Sequence, residues 1–287
     1  MKIVTDSAAD LTPGEMEAFG ITLAPLYIQF PEGEVNAADI SADDFYNRLE
    51  AMRPAIPTTA QPSSGTFSDI YRKLAETSQD IFSIHISSGL SGTINSARVG
   101  AEQLQGQANV TIWDTMTLSG GERFQVLAAA MADKAGWSME KIQQRLTEIR
   151  ANTEVIYTLE TLEYLARGGR IGRVQALMGS LLKLKPVINV SHEDGKYSTV
   201  TKARTIPAGL QAIADNLVGI YANTPVWVNV LHGRFQQGAD MFSEIARKRL
   251  NTARLEVNRI SPVLGVHTGP GIVGAAILPI HLIEDLL

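Results

Sequence analysis

The chain has 287 residues, 45% of them hydrophobic and 19% charged, with a formal net charge of −5 and no cysteine. That length is generous for one compact domain and suits two, each with a sizeable core. The composition excludes disulfides, thiolate nucleophiles and cysteine metal sites, and the charge leaves no electrostatic footprint for nucleic acid or an anionic membrane.

The opening stretch, Met1–Asp10, has no apolar run before the polar Thr5, so it does not read as a signal peptide. No segment of about 20 uncharged apolar residues follows, and no internal repeat is visible. A soluble, cytoplasmic protein is the expectation. In chain order, Lys2–Thr5, Thr22–Phe30, Ile81–Ile86 and Val110–Asp114 are β-branched apolar runs and predict strands. Between them, helical spacing links Phe45, Leu49 and Met52, with Ser41–Asp44 as a capping-box start. The same spacing links Phe67, Ile70, Tyr71 and Leu74, then Ile94, Ala97, Ala101 and Leu104, then Met139, Ile142, Leu146 and Ile149. Strands separated by helices predict βαβ units and a mostly parallel sheet.

A boundary falls near Arg150–Glu154. Beyond it, Val155–Leu159 predicts a strand, and Thr161–Arg167 a short helix ended by Gly168 and Gly169 through a left-handed cap. Val174, Leu177, Met178, Leu181 and Leu182 form a full apolar helical face, which Pro186 stops or closely follows. Val187–Val190 and Tyr197–Thr201 read as a hairpin around Glu193–Gly195. Leu210, Ile213, Ala214, Leu217 and Tyr221 mark another helix, and Val226–Leu231, Leu255–Ile260 and Gly274–Leu278 further strands. The apolar tract Ser261–Leu282 reads as loops around a buried strand.

Three polar, glycine-bearing loops concentrate the chemistry: Thr59–Ser63, His85–Thr93 and His267–Gly271. A helix beginning near Ser91–Thr93 presents unpaired N–H groups beside a hydroxyl, which suits a carboxylate or phosphate. Gly92 allows close approach to the backbone. Ser91 could equally be a simple N-cap. His267 can donate to an anion or titrate near neutral pH, although a lone histidine is more often a packed residue. The other histidines show no metal-ligand spacing, and the chain has no Walker A, GxGxxG or GxSxG pattern. Asp6, at the end of the first strand, is either a general base or a residue that holds the loops of Ser7 and Ser87.

Taken together, Thr5–Ser7, Thr59–Ser63, Ile86–Thr93, Leu162–Ile171, Leu182–Pro186 and His267–Gly271 resemble, in order and spacing, the DegV family of bacterial fatty-acid-binding proteins. The likeness covers nearly the whole chain. It implies an α/β fold with a mostly parallel N-terminal α/β/α domain, residues 1–152, and a C-terminal α/β domain with a mixed sheet, residues 153–287. It also implies a lipid tunnel between them. The resemblance implies that Thr59 and Ser91, with Gly92, hold the acyl carboxylate and that His267 lies near the head group. It implies a tunnel lined by Val174, Leu177, Met178 and Leu181, and a palmitate- or oleate-sized fatty acid as ligand, with no cofactor or metal. It further implies a partner, the ATP-binding subunit of a fatty-acid kinase, which phosphorylates the bound acid and meets Lys202 and Arg204, with Arg170 and Arg173 as further contacts. Transient membrane contact is compatible with such a role. The chain departs from the family at Ala60, where serine is common, and at Met116–Arg123; these bear on fine specificity.

The leading expectation is therefore a lipid carrier without catalysis of its own. The alternative is a small-molecule phosphotransferase or hydrolase using Asp6, Ser91 and His267. The related dihydroxyacetone-kinase substrate subunit holds its substrate through a histidine that has no clear counterpart in this chain. A DNA-linked regulator fits neither the charge nor the lack of a helix-turn-helix pattern.

Overall fold

A computed structural model describes residues 1–176 and 184–287. The chain opens with β1 (Lys2–Asp6), a 3-10 turn at Ser7–Ala9 and α1 (Pro13–Phe19). Next come β2 (Thr22–Ala24), β3 (Tyr27–Phe30), β4 (Gly33–Asn36) and α2 (Ala42–Ala51). They lead to β5 (Thr58–Ala60), α3 (Ser64–Ala75), β6 (Asp80–His85), α4 (Thr93–Glu102) and β7 (Asn109–Asp114). Two helices follow, α5 (Ser119–Lys134) and α6 (Met139–Asn152). The second half runs β8 (Glu154–Thr158), α7 (Glu163–Arg167), β9 (Lys185–Val190), β10 (Tyr197–Ala203) and α8 (Ile206–Tyr221). It ends with β11 (Val226–His232), α9 (Gln236–Arg249), β12 (Thr252–Arg259), α10 (Pro262–Thr268) and β13 (Val273–Pro279).

The first sheet has the order β2-β1-β6-β7 and is parallel throughout. The second has the order β10-β9-β8-β13-β11-β12; it is antiparallel except for the β11–β12 pair. A small antiparallel sheet, β4-β3-β5, stands beside them. Helices α3 and α4 cover one face of the first sheet, α8 and α9 the outer face of the second, and α5 packs between the two sheets. The chain is an α/β protein built around one parallel and one mixed sheet.

Local chemistry sets most boundaries. Thr12 and Glu15 form a reciprocal capping box at α1, Pro13 stands at the helix start, and Gly20 closes it with φ 61°. Ser41, Ser63, Ser138 and Thr205 cap α2, α3, α6 and α8. The predicted hairpin is β9–β10, and Gly169, at φ 71°, follows α7 in the left-handed conformation.

Four elements differ from expectation. The run Thr22–Phe30 is two strands in two sheets: Pro25 has no N–H to donate, so the chain leaves the first sheet at Ala24 and joins the small one at Tyr27. Pro186 lies inside β9 opposite Lys202, not at a helix end. Pro262–Thr268, read as loop, is the helix α10, because Pro262 at its start presets helical φ. Helix α5 had no periodic signal, because only Met131, Asp133 and Lys134 of it are not buried and it has no polar face. The apolar face expected from Val174 onward lies largely outside the described residues; Val174 itself sits in a 3-10 turn and is buried in the core.

Glycines let α5 approach the second sheet. A Cβ on Gly120 would stand 2.7 Å from the Ala276 side chain, and one on Gly121 2.6 Å from that of Val155. Next along the helix, Arg123 is 2% exposed and joins Glu15 of α1 to Glu256 of β12, its Nη2 2.5 Å from Glu15 Oε1. Glu256 also accepts from Trp227 Nε1 at 3.0 Å. Removing the cation leaves two partly buried carboxylates without the charge that joins them, each with only its weaker partners, the Thr12 N–H for Glu15 and Trp227 Nε1 for Glu256. Arg123→Met is expected to lower unfolding free energy by about 3 kcal/mol in urea titration, and adding Glu256→Gln should recover part of the loss.

Candidate functional site

Thr59 stands in the middle of β5, paired with Ile28 of β3, so it belongs to a strand and not to a loop. Pro62 follows the strand, and Ser63 then starts α3 by accepting from Thr66 N–H at 3.0 Å. Ser91 lies in the turn between β6 and α4, which Ser91 N–H closes on Ser87 O at 3.1 Å. The N-cap of α4 is Gly92, which has no side chain to offer. Ser91, one residue earlier, takes the Thr93 N–H at 3.3 Å and lies 2.8 Å from Thr93 Oγ1. Ser91 thus does part of the capping while it also lines a cavity. Gly92 does not line it; a Cβ there would strike the Gln61 amide at 2.6 Å.

His267 occupies the last turn of α10 and brings Nε2 to 2.8 Å from Thr59 Oγ1. Burial first, and the nearby Arg170 second, push its pKa down to about 4. The imidazole is therefore neutral at pH 7. Its Nδ1 is buried and makes no hydrogen bond. We assign the proton to Nε2 on that ground: the other tautomer would bury an N–H without an acceptor. Nε2–H then donates to Thr59 Oγ1, which leaves the Thr59 hydroxyl proton free for a ligand.

Thr59, Ser91 and His267 line one cavity of about 40 Å³, together with Gln61, Arg170 and Tyr197. Leu26, Ile86, Leu118, Val263 and Leu264 supply the apolar wall. The volume suits a carboxylate with a water or two. Gln61 bonds Ser96 Oγ at 3.3 Å and lies across the start of α4. Tyr197, at the start of β10, carried no local sequence signal; only the return of the hairpin brings it here. Ala60 lines the cavity as well.

The expected partner-facing cations are spread out. Arg170 is half-buried in the cavity wall, where Nη1 donates to Gly168 O at 2.7 Å and Nε to Leu90 O at 3.3 Å. Arg173 pairs with Glu193 and Asp194 of the hairpin turn. Lys202 and Arg204 are exposed at the end of β10. Leu177, Met178 and Leu181 lie outside the described residues, and Val174 is in the core but not on this cavity.

Asp6, Ser91 and His267 do not come together. Asp6 is fully buried and lines a neighbouring open cleft of about 350 Å³. Its Oδ1 accepts from Ala8 N–H at 3.0 Å; its Oδ2 accepts from Ile86 N–H at 3.1 Å and faces His85 Nδ1 at 2.9 Å. His85 continues to Ser83 and Tyr71 in a buried chain of hydrogen bonds. Asp6 thus holds the two loops by their backbones, with its acceptors already engaged. Among the described residues, no group of three or more His, Asp or Glu side chains could hold a metal ion, and no helix is long and apolar enough to cross a membrane.

The sequence model of the DegV family, described as uncharacterised protein, DegV family, matches residues 1–279, and the chain belongs to that family. A DegV domain-containing protein of Deinococcus radiodurans is 37% identical over 278 residues, covering 96% of this chain and 95% of the relative. A solved DegV family protein from Thermus thermophilus, described for its fatty acid binding, superposes with a TM-score of 0.90 at 30% identity, over 97% of this chain and 99% of that one. A stearic-acid-binding protein from Eubacterium ventriosum superposes with a TM-score of 0.86 at 26% identity, over 97% and 98% of the two chains.

Two measurements probe the histidine. A folded-state pKa of about 4 against 6.5 in the unfolded chain means the unfolded state takes the proton first on acidification. The stability that His267 contributes is present above pH 6.5 and lost as pH falls through 4. The difference in unfolding free energy between wild type and His267→Gln should shrink by about 3 kcal/mol across that window. Gly168 packs on the same ring: a Cβ there would lie 2.2 Å from His267 Nδ1, although its φ of −75° suits alanine. Gly168→Ala should displace the imidazole from Thr59 and move its NMR-measured pKa back towards 6.5.

Proposed function

We propose that this chain binds a long-chain, palmitate- or oleate-sized fatty acid between its two lobes, with the carboxylate at Thr59, Ser91 and His267. We propose that it presents this head group to the ATP-binding subunit of a fatty-acid kinase, which forms the acyl phosphate. The lobes are taken as residues 1–152 and 153–287. The observation that carries the reading is the convergence of Thr59 and Ser91 from the first half with His267 from the second on one small cavity. The fatty-acid-binding relatives of the same fold support the choice of ligand.

The donor inventory suits a carboxylate. Thr59 receives the Nε2 proton of His267 and can give its own to the ligand. Ser91 can do the same where Thr93 Oγ1–H donates to it. The cation in the wall, Arg170, gives Nη1 and Nε to the carbonyls of Gly168 and Leu90, which hold it in place without cancelling its charge, so the hydroxyls make the direct bonds and the guanidinium adds attraction from the side. That leaves carboxylate oxygen density available for attack on a phosphoryl group. Arg173 is already paired, which narrows the kinase-facing surface to Lys202 and Arg204.

Energetics divide the roles. About 14 methylenes at about 0.8 kcal/mol each offer on the order of 11 kcal/mol of transfer free energy. Each hydroxyl-to-carboxylate bond contributes about 1.5–3 kcal/mol at most. The tail dominates affinity and the hydroxyls orient the head. Since a cavity of about 150 Å³ is needed to hold benzene, the tail needs several times the enclosed 40 Å³.

Native mass spectrometry of protein purified from a bacterial host should show one co-purified acyl chain of palmitate or oleate mass. Thr59→Ala with Ser91→Ala should reduce lipid retention on the order of 10-fold and kinase-dependent acyl-phosphate formation far more. Equal losses in both assays would remove the orienting role, and a reproducibly lipid-free protein would remove the ligand.

A further inference from the structure

Helix α10 supplies Val263, Leu264 and His267 to the cavity, and both of its ends are tied down. His267 fixes the far end on Thr59. At the near end the helix has no side-chain cap of its own, and Ser261 Oγ is buried without a partner. The tie comes from another segment. Asp10, just beyond the turn that follows β1, accepts the Ser261 N–H on Oδ1 at 2.7 Å. Its Oδ2 accepts from Ser119 Oγ at the start of α5. Asp10 has φ 52° and Ser119 φ 54°, left-handed conformations that cost a residue with a side chain free energy. Two strained residues from different segments therefore meet on the carboxylate that holds the pocket helix.

We propose that Asp10 is a positioning residue for the head-group pocket: its carboxylate fixes the start of α10 and thereby the meeting of His267 with Thr59. The meaning of the pocket rests on the fatty-acid reading; the mechanical link does not. The charge on Asp10 is part of the device, because a carboxylate holds an N–H more tightly than a neutral carboxyl. Burial pushes Asp10 up to about 6, against the hydrogen bonds from Ser119 and Ser261 and the pull of Arg123. The groups that face it are Glu122 and Arg123 of α5, Tyr46 of α2, Tyr157 of β8 and Tyr197 of β10, while Asp6 and Arg259 share the adjoining cleft. Glu122 is also held well above the ordinary carboxylate range by burial and is the competing carboxylate to separate, while His232, pushed below the usual imidazole value by burial, is left in place in Asp10→Asn.

The test follows the His267 ring by NMR in lipid-free protein from pH 8 to 5, beside palmitate affinity at pH 7.5. Wild type should show an inflection near pH 6 in the His267 signals, well above the ring's own titration. Asp10→Asn keeps an acceptor for Ser261 and a donor for Ser119, so it should fold, lose the inflection and bind palmitate several-fold more weakly. Asp10→Ala should weaken binding at least 10-fold; where it fails to fold, Asp10→Asn decides alone. Glu122→Gln should retain the inflection. An inflection that persists in Asp10→Asn, or disappears only in Glu122→Gln, overturns the proposal. So does a folded Asp10→Ala with wild-type His267 signals and affinity. A wild type that shows the inflection but takes no palmitate defeats the ligand assignment and leaves the link between Asp10 and His267 standing.

Discussion

The structure depends on one helix packed between two sheets. Helix α5 lies on the parallel sheet with one side and on the mixed sheet with the other, so it can expose almost nothing. Gly120 and Gly121 let its first turn touch Ala276 and Val155. Ser119 reaches Asp10, and Arg123 reaches both Glu15 and Glu256. The same helix therefore sets how the end of β1, the start of α10 and the edge strand β12 stand to one another. The cavity inherits its geometry from that arrangement: β5 and the β6–α4 turn provide hydroxyls from one half, and α10 provides the imidazole from the other.

Much of this was legible along the chain, and the illegible parts have a common cause. Strands β6, β7, β8, β11 and β13 and helices α2, α3, α6 and α8 each pack one face or one apolar run, so their periodicity survives in sequence. Helix α5 is buried on all sides, which erases the polar stripe that reveals a helix. Helix α10 is short and fully buried and is flanked by Pro262 and Gly269, which imitate a loop. The break at Pro25 was visible as a residue but not as a change of sheet. At the site, Thr59, Ser91 and His267 came from motif resemblance, since single hydroxyls and one histidine have no compelling pattern. Tyr197 and Arg170 reach the cavity through long-range packing alone. Asp10 looked like an ordinary turn residue, and only the folded chain puts Ser119 and Ser261 on its two oxygens.

Several buried ionisable groups near the centre are either kept neutral or well engaged. His267 is kept uncharged by burial, and Glu122 is held well above the usual carboxylate range. Asp6 engages three hydrogen-bond partners, His85 among them. Arg123 has two carboxylates. What remains facing the cavity is a set of neutral hydroxyls and the Gln61 amide on an apolar wall, with the half-buried Arg170 as its cation.

The Thr59–His267 contact joins the two halves of the molecule directly across the cavity. Thr59 and Ser91 stay together on one half and His267 goes with the other, so any parting of the halves would take the imidazole from the Thr59 hydroxyl without separating the two hydroxyls.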